Sequence, residues 1–277
     1  MHLQEQKKAG NQMADYIAAR EYWRLHDPKT PEELDLLLYS FRILFAYHSG
    51  KIENDQITYH DTREIFENGK ALNFTGDPRA LFEQQNQKLC YDFLRQKIVD
   101  KEPLSVELIK EVHAILTSGT FDERRYVDKG ERPGEFKKHD YVTGIHEVGY
   151  APEEVEDAIS ELVDELAEIR DNAYILKAAA YFHARFEYIH PFADGNGRVG
   201  RTLLNYFLMI HGEPPVIVYD EDKKEYYKAL EQYDEHEEID ALADFLQVQT
   251  IKTWEKTLDR SQGKVKHPRK KLSEFER

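Results

Sequence analysis

Apolar residues recur along most of the chain at intervals of three and four, the spacing that lays one stripe along a helix. From Tyr16 to Tyr47 the pattern predicts helix, broken near Asp27-Pro28 and restarting at Thr30-Pro31-Glu32-Glu33, a favourable helix opening. The second helix carries Leu34, Leu37, Leu38, Phe41, Leu44 and Phe45 at helical spacing, so one side must be buried, and it runs into His48-Ser49-Gly50-Lys51-Ile52-Glu53-Asn54. Ile57 to Gly69 and Pro78 to Val99 predict two more helices, separated by the polar NFTGDP turn. Pro103-Leu104-Ser105 opens another that ends at Gly119, and Pro152-Glu153-Glu154 opens VEDAISELVDELAEI, whose acidic residues face away from Val155, Ile159, Leu162, Val163 and Leu166. A long alanine-rich helix follows from Asn172 to Ile189, Val199, Leu203, Tyr206 and Phe207 continue the spacing beyond it, and a further helix includes Glu225 to Leu230 and ends in Asp234-Glu235-His236-Glu237-Glu238.

Two stretches depart from this period. Between Phe121 and Tyr150, Gly130, Pro133, Gly134, Gly144 and Gly149 punctuate a segment in which HDYVTGIHEVGY mixes β-branched and aromatic residues around a glycine, the pattern of a short hairpin. Two strands alone are marginal and must lean on helices, and their free edge can take an extended target segment by strand addition. PPVIVYD, at 214–220, is too short and isolated to found a sheet and is expected to pack on the helices. The expected fold class is all-α with a short β-hairpin.

The chain has 277 residues, 40% of them apolar, enough for one large domain or two small ones. Fifty-three acids against thirty-eight bases give a net charge of −15, which argues against nucleic acid or an anionic membrane as the main partner. Cys90 stands alone, so neither an internal disulfide nor a cysteine-rich metal site is available. The opening residues have no apolar core of signal-peptide length and no run approaches a membrane span, so a cytoplasmic location is expected.

Chemistry concentrates in His190 to Arg201, HPFADGNGRVGR. A polar connection between two buried helices is the plainer account, but each residue type answers a demand that a polyphosphate makes. Gly195, Asn196 and Gly197 permit a tight turn whose N–H groups point at an anion, at the positive end of the helix that follows. Arg198 and Arg201 share one face of that helix and offer forked donors to successive phosphates. Asp194 is the lone carboxylate that, with phosphate oxygens, suits Mg²⁺, and His190 is the group that titrates near neutrality, the natural proton acceptor. Phosphoryl or nucleotidyl transfer is the reaction class these groups favour. GNGRVG also matches G-x-G-x-x-G, with Asp220 twenty positions beyond its last glycine, but a dinucleotide fingerprint needs an entering strand, and the entering segment here is helical and broken by Pro191. His183 lies seven residues before His190 without a third ligand nearby, so zinc is not expected, and His113 is expected to be buried rather than a ligand.

The stretch resembles the Fic-domain signature, H-P-F-x-[DE]-G-N-G-R-x-x-R, at every specified position. The resemblance implies an all-helical core with a small β-hairpin flap and transfer of AMP from Mg·ATP to a protein hydroxyl. It implies His190 as base, Asp194 as Mg²⁺ ligand, Gly195, Asn196 and Gly197 as the anion nest, Arg198 on the β-phosphate and Arg201 on the γ-phosphate, with Phe192 a core anchor. SGKIEN, Ser49 to Asn54, fits the [ST]-x-x-x-E-[GN] pattern of an inhibitory helix in this family, in which Glu53 would pair with Arg201 and deny it to the γ-phosphate. Tyr141, Val142, Thr143 and Gly144 would border the ATP pocket, and the flap would register the target segment. Tyr227 matches a tyrosine that faces the adenosine, while Asp234 stands where an asparagine is usual, and Lys137 where the family has an arginine before the flap.

This places an N-terminal helical extension at 1–40, an inhibitory helix region at 41–58, a Fic core at 59–250 and a helix end with a basic tail at 251–277. The implied function is an autoinhibited protein adenylyltransferase acting on Tyr, Ser or Thr, with ATP and Mg²⁺ as cofactors and a homodimer as a family expectation. The alternatives are removal of AMP, transfer of another phosphate-linked group, or a silent nucleotide-responsive binding module.

Overall fold

Capping chemistry sets the helix boundaries. In the computed structural model, which describes residues 2–71, 74–141, 149–169, 174–261 and 263, with side chains from Gly10 onward, α1 is His2–His26. Thr30 accepts from Glu33 N and Pro31 follows it, opening α2, Pro31–Leu37. Thr58 and Asp61 exchange bonds in a capping box ahead of α4, Tyr59–Asn68. Asp77 and Ser105 cap α5, Pro78–Val99, and α6, Val106–Leu116. The expected continuous helix from Thr30 onward is instead two: Leu38, at φ −98° and ψ 12°, separates α2 from α3, Tyr39–Glu53. Apolar spacing cannot register a one-residue break, because Leu34, Leu38 and Ile52 stay buried on both sides of it.

A single π-helical turn, Arg124–Asp128, precedes the loop to α7, Val155–Ala167. The remaining helices are α8, Ile175–Ile189, α9, Asn196–Ile210, α10, Lys223–His236, and α11, Asp240–Ser261. Among the described residues there is no strand. The hairpin expected within 139–150 falls mainly on 142–148, outside the described residues.

The centre of the fold is the α8–α9 pair, surrounded by α3, α5, α6, α7, α10 and α11. Nearly every residue of α9 is buried, and Phe182, Phe186, Phe192 and Phe207 join the two helices into the main apolar cluster, which also includes Cys90 at 1% exposure. PPVIVYD lies extended across the helices, as its isolation predicts. Helix side chains satisfy its backbone: Asn205 exchanges bonds with Val216 N and O, Thr253 accepts from Ile217 N, and Gln249 accepts from Tyr219 N. The N-terminal segment is bound into the same body. Trp23 meets Trp254 edge-on at 5.8 Å, and Arg20, Arg24 and Tyr16 of α1 converge on Glu213, which is 1% exposed.

Candidate active site

α8 ends at His190, whose left-handed backbone (φ 51°, ψ 64°) turns the chain out of the helix and presents its ring to a cleft. The next residues are locked by a reciprocal side-chain clamp: Phe192 N donates to Asn196 Oδ1 at 2.9 Å, and Asn196 Nδ2 donates to Phe192 O at 2.8 Å. Gly195, at φ 82°, starts α9, and a Cβ there would lie 2.6 Å from Thr117 Cγ2. The helix supplies no acceptors to the N–H groups of its first residues, and Gly195, Asn196, Gly197 and Arg198 line the cleft.

The loop is held from below by His113. Gly134 N donates to His113 Nδ1 at 2.8 Å, so the other ring nitrogen carries the proton and donates to Asp194 O at 3.1 Å. The ring stacks on Phe192 at 3.7 Å. Burial lowers its pKa to about 3, keeping it neutral. His113 is thus a buried support, as expected, and His183 is another: its Nε2 pairs with the Tyr226 hydroxyl at 2.6 Å and burial holds its pKa at about 3.

The cleft measures about 500 Å³ and is walled by Glu53 and Asn54 of α3, by Arg79 and Glu83 of α5, by Arg125 and Tyr141, and by His190 with residues 193–198. His190 has its pKa lowered to about 4, first by burial and then by the Lys137 ammonium, against the Glu187 carbonyl that accepts from its ring. It is therefore an unprotonated base across the neutral range. Tyr141 reaches the wall because Glu131, 1% exposed, gathers its loop, accepting from Lys138 N, His139 Nδ1 and the Tyr141 hydroxyl. Val142, Thr143 and Gly144 lie outside the described residues.

Arg201 lies behind this wall at 2% exposure, and α3 takes up its donors: Nε to Ser49 Oγ at 3.0 Å, Nη2 to Ser49 O at 3.1 Å and to Glu53 Oε1 at 2.7 Å. Burial raises the Glu53 pKa, but the guanidinium prevails and the net shift is downward, so the carboxyl is ionised. A Cβ at Gly197 would sit 2.6 Å from Glu53 Oε1, so glycine there is what admits the carboxylate. Asn54 caps α3 and lines the cleft, its Oδ1 accepting from Gln56 N.

Tyr227 and Asp234, both on α10, are not on the cleft wall. Tyr227 is 40% exposed, and its pKa is raised to about 12 by burial and then by Glu53, which places it near the Glu53–Arg201 pair. Asp234 bears on Glu187, whose pKa rises to about 7, chiefly by burial. Glu187 Oε1 and His183 Nδ1, 4.0 Å apart, are buried without a hydrogen-bond partner.

Asp194 is the one cleft carboxylate from the HPFADGNGRVGR stretch. Its two oxygens are shared: Arg79 Nη2 donates to Oδ2 at 2.7 Å, and Arg198 Nη2 lies 3.6 Å from Oδ1. A hard oxygen donor on an open wall suits Mg²⁺, which keeps water and ligand oxygens in most of its positions. Sequence reasoning missed Arg79, Glu83, Glu131 and Glu187. Arg79 and Glu83 carry only the signal of an ordinary i,i+4 helix pair, and nothing local announces a partner 115 positions away.

The fold and site define a helical domain in which an open helix start, a neutral imidazole and a carboxylate share one cleft. Residues 103–208 match the Fic/DOC family. Protein adenylyltransferase Fic of Nematostella vectensis is 30% identical over 194 residues, which cover 67% of this chain and 42% of the relative. The protein of that name from Drosophila persimilis is 30% identical over 188 residues, covering 66% and 34%. A Fic domain containing signaling protein from Bacteroides thetaiotaomicron superposes with a TM-score of 0.75 at 24% identity, over 90% of this chain and 97% of that one. Fic-1 (E274G) from C. elegans gives 0.74 at 20% identity, over 95% and 76%. The chain carries a Fic domain, matched at 103–208, and it spans less than half the length of these two curated relatives.

Proposed function

We propose that the cleft binds ATP with Mg²⁺ and that the protein is an adenylyltransferase, moving AMP to a Tyr, Ser or Thr hydroxyl of a target protein. The observation that carries this reading is the convergence of a neutral His190, Asp194 and the open start of α9 on one cleft. The names of the relatives, protein adenylyltransferase Fic, agree with it. His190 takes the proton of the target hydroxyl as its oxygen bonds to the α-phosphorus, and the α–β bridging bond breaks to release pyrophosphate. Asp194 and phosphate oxygens hold Mg²⁺, which supplies charge neutralisation as the leaving group departs. Asn196, Gly197 and Arg198 hold the phosphates through backbone N–H groups and a guanidinium. Tyr141 borders the entrance at which an extended target segment lies.

The second part of the proposal is that α3 restrains the reaction. A γ-phosphate needs the Arg201 donors that Glu53 and Ser49 occupy. With those donors taken, the triphosphate lies with its α-phosphorus out of line for attack. The test compares wild type, Glu53→Gly and His190→Ala, each incubated with ATP labelled at the α-phosphate. Transfer of label to protein by Glu53→Gly, at least ~10-fold above wild type, and its loss by about 10²-fold or more on adding His190→Ala are the expected results. Intact ATP binding by Glu53→Gly without label transfer would sink the transferase reading and leave a nucleotide-responsive binding module.

A further inference from the structure

One contact at the cleft belongs to neither the phosphate nest nor the α3 restraint. Arg79, at the start of α5, projects from outside the HPFADGNGRVGR stretch and donates Nη2 to Asp194 Oδ2 at 2.7 Å. Its Nε donates to Glu83 Oε1 at 2.9 Å. The two acceptors differ in setting. Glu83 is buried, with its side chain 5% exposed, and the same Oε1 lies 3.2 Å from Arg198 Nη1, so it is fixed between two guanidinium groups. Asp194 is on the open wall, 16% exposed, and Arg79 itself is 33% exposed. Arg198 Nη1, buried at the wall of the same cleft, meets the Glu83 carboxylate as an ion pair without an aligned hydrogen bond.

Resting on the nucleotide reading above, we propose that Arg79 is an exchangeable counter-ion: it neutralises Asp194 when the cleft holds no divalent cation, and it is released to polyphosphate oxygens when a cation takes the carboxylate. The anchoring follows from the bonds. Nε remains on Glu83, whose 5% exposed carboxylate already lies against two guanidinium groups, while the Nη2 end turns about that tether. A guanidinium and a divalent cation compete for Oδ2, because both are drawn to the same carboxylate lone pairs and their positive charges repel at that distance. Once displaced, the Arg79 fork stands at the cleft with two free donors and finds acceptors on the incoming phosphates. The exchange keeps Asp194 from being an unpaired, partly buried carboxylate at any stage. It also makes metal binding weak without nucleotide and cooperative with it, since the phosphates compensate the guanidinium that the metal evicts.

The experiment uses the full chain and Mn²⁺ as probe, read as free-ion paramagnetic resonance during titration without nucleotide. Arg79→Met removes the competing cation, so Mn²⁺ is expected to bind about 5-fold more tightly than to wild type, the scale of one half-exposed ion pair. Arg79→Lys, which keeps a charge, is expected to stay near wild type, and Asp194→Asn to lose the site. In the presence of ATP the order reverses: Arg79→Met is expected to bind Mg·ATP several-fold more weakly by calorimetry. Thermal melts at wild-type temperature exclude misfolding, and Arg79→Gln, which also removes the charge, carries the test should Arg79→Met melt early. Unchanged or weaker Mn²⁺ binding by a folded Arg79→Met overturns the exchange, whatever the label-transfer assay shows. Tighter Mn²⁺ binding alongside a Glu53→Gly variant that transfers no label would uphold the competition for Asp194 and sink the transferase reading instead.

Discussion

His190 is held at the end of α8 in a conformation that a histidine rarely adopts, and its surroundings decide its protonation. Burial and Lys137 lower its pKa to about 4, so the base is present above that value rather than above the usual 6.5. Label transfer by Glu53→Gly is therefore expected to be flat from pH 8 to about pH 5 and to fall only as pH approaches 4. Lys137→Met, which removes a neighbouring positive charge, moves that fall to higher pH, as a rate profile on the same background will read. Glu187 behaves oppositely. Its folded pKa of about 7 exceeds the unfolded carboxylate value, so its contribution to stability is complete below about pH 4.5 and is lost as pH rises towards 7. Glu187→Gln is expected to flatten that decline in urea unfolding measured from pH 5 to 8. His113 and His183, with folded values of about 3, add stability that is present above about pH 6.5 and declines as pH falls towards 3.

At the scale of single elements, the start of α9 depends on one amide. Asn196 satisfies both the N–H and the C=O of Phe192. Asn196→Ala strands two buried backbone groups and is expected to cost about 1–3 kcal/mol in chemical denaturation. Ser49→Ala removes the hydroxyl from Arg201 Nε but leaves the Ser49 carbonyl and Glu53 in place, so partial release of transfer, smaller than that of Glu53→Gly, is the expected outcome. Much of this level was legible beforehand. Thr30-Pro31, Asp77-Pro78 and Ser105 mark helix starts by chemistry confined to four residues, and the pairing of Glu53 with Arg201 was expected from two short patterns. The Leu38 break and the Arg79–Asp194 pair were not. The first leaves hydrophobic spacing untouched, and the second joins a helix pair of ordinary appearance to a residue far along the chain. Glu131 was hidden for a similar reason, since an acid in a glycine-rich loop reads as solvated until the loop closes around it.

The molecule as a whole is tied together across its termini. α1 lies along α11, and α11 runs unbroken from Asp240 to Ser261. Glu213, beyond the end of α9, draws Arg20 and Arg24 of α1 onto a carboxylate that is almost wholly buried. Arg20→Ala leaves that charge with Arg24 and Tyr16 alone and is expected to destabilise by about 1–3 kcal/mol, read as a lower urea midpoint with an unchanged slope. α3 belongs to the same assembly, because Lys223 of α10 donates to the Ile52 carbonyl one residue before Glu53.

Cys90 sits in that shared core at 1% exposure, and burial pushes its thiol far above the range in which it would ionise. No other sulfhydryl exists in the chain. A chromogenic aromatic disulfide added to the native protein should consequently develop colour only as fast as the interior opens, with one equivalent released per molecule. The chain thus carries an intrinsic clock for its own breathing, which spectrophotometry can follow without any introduced label.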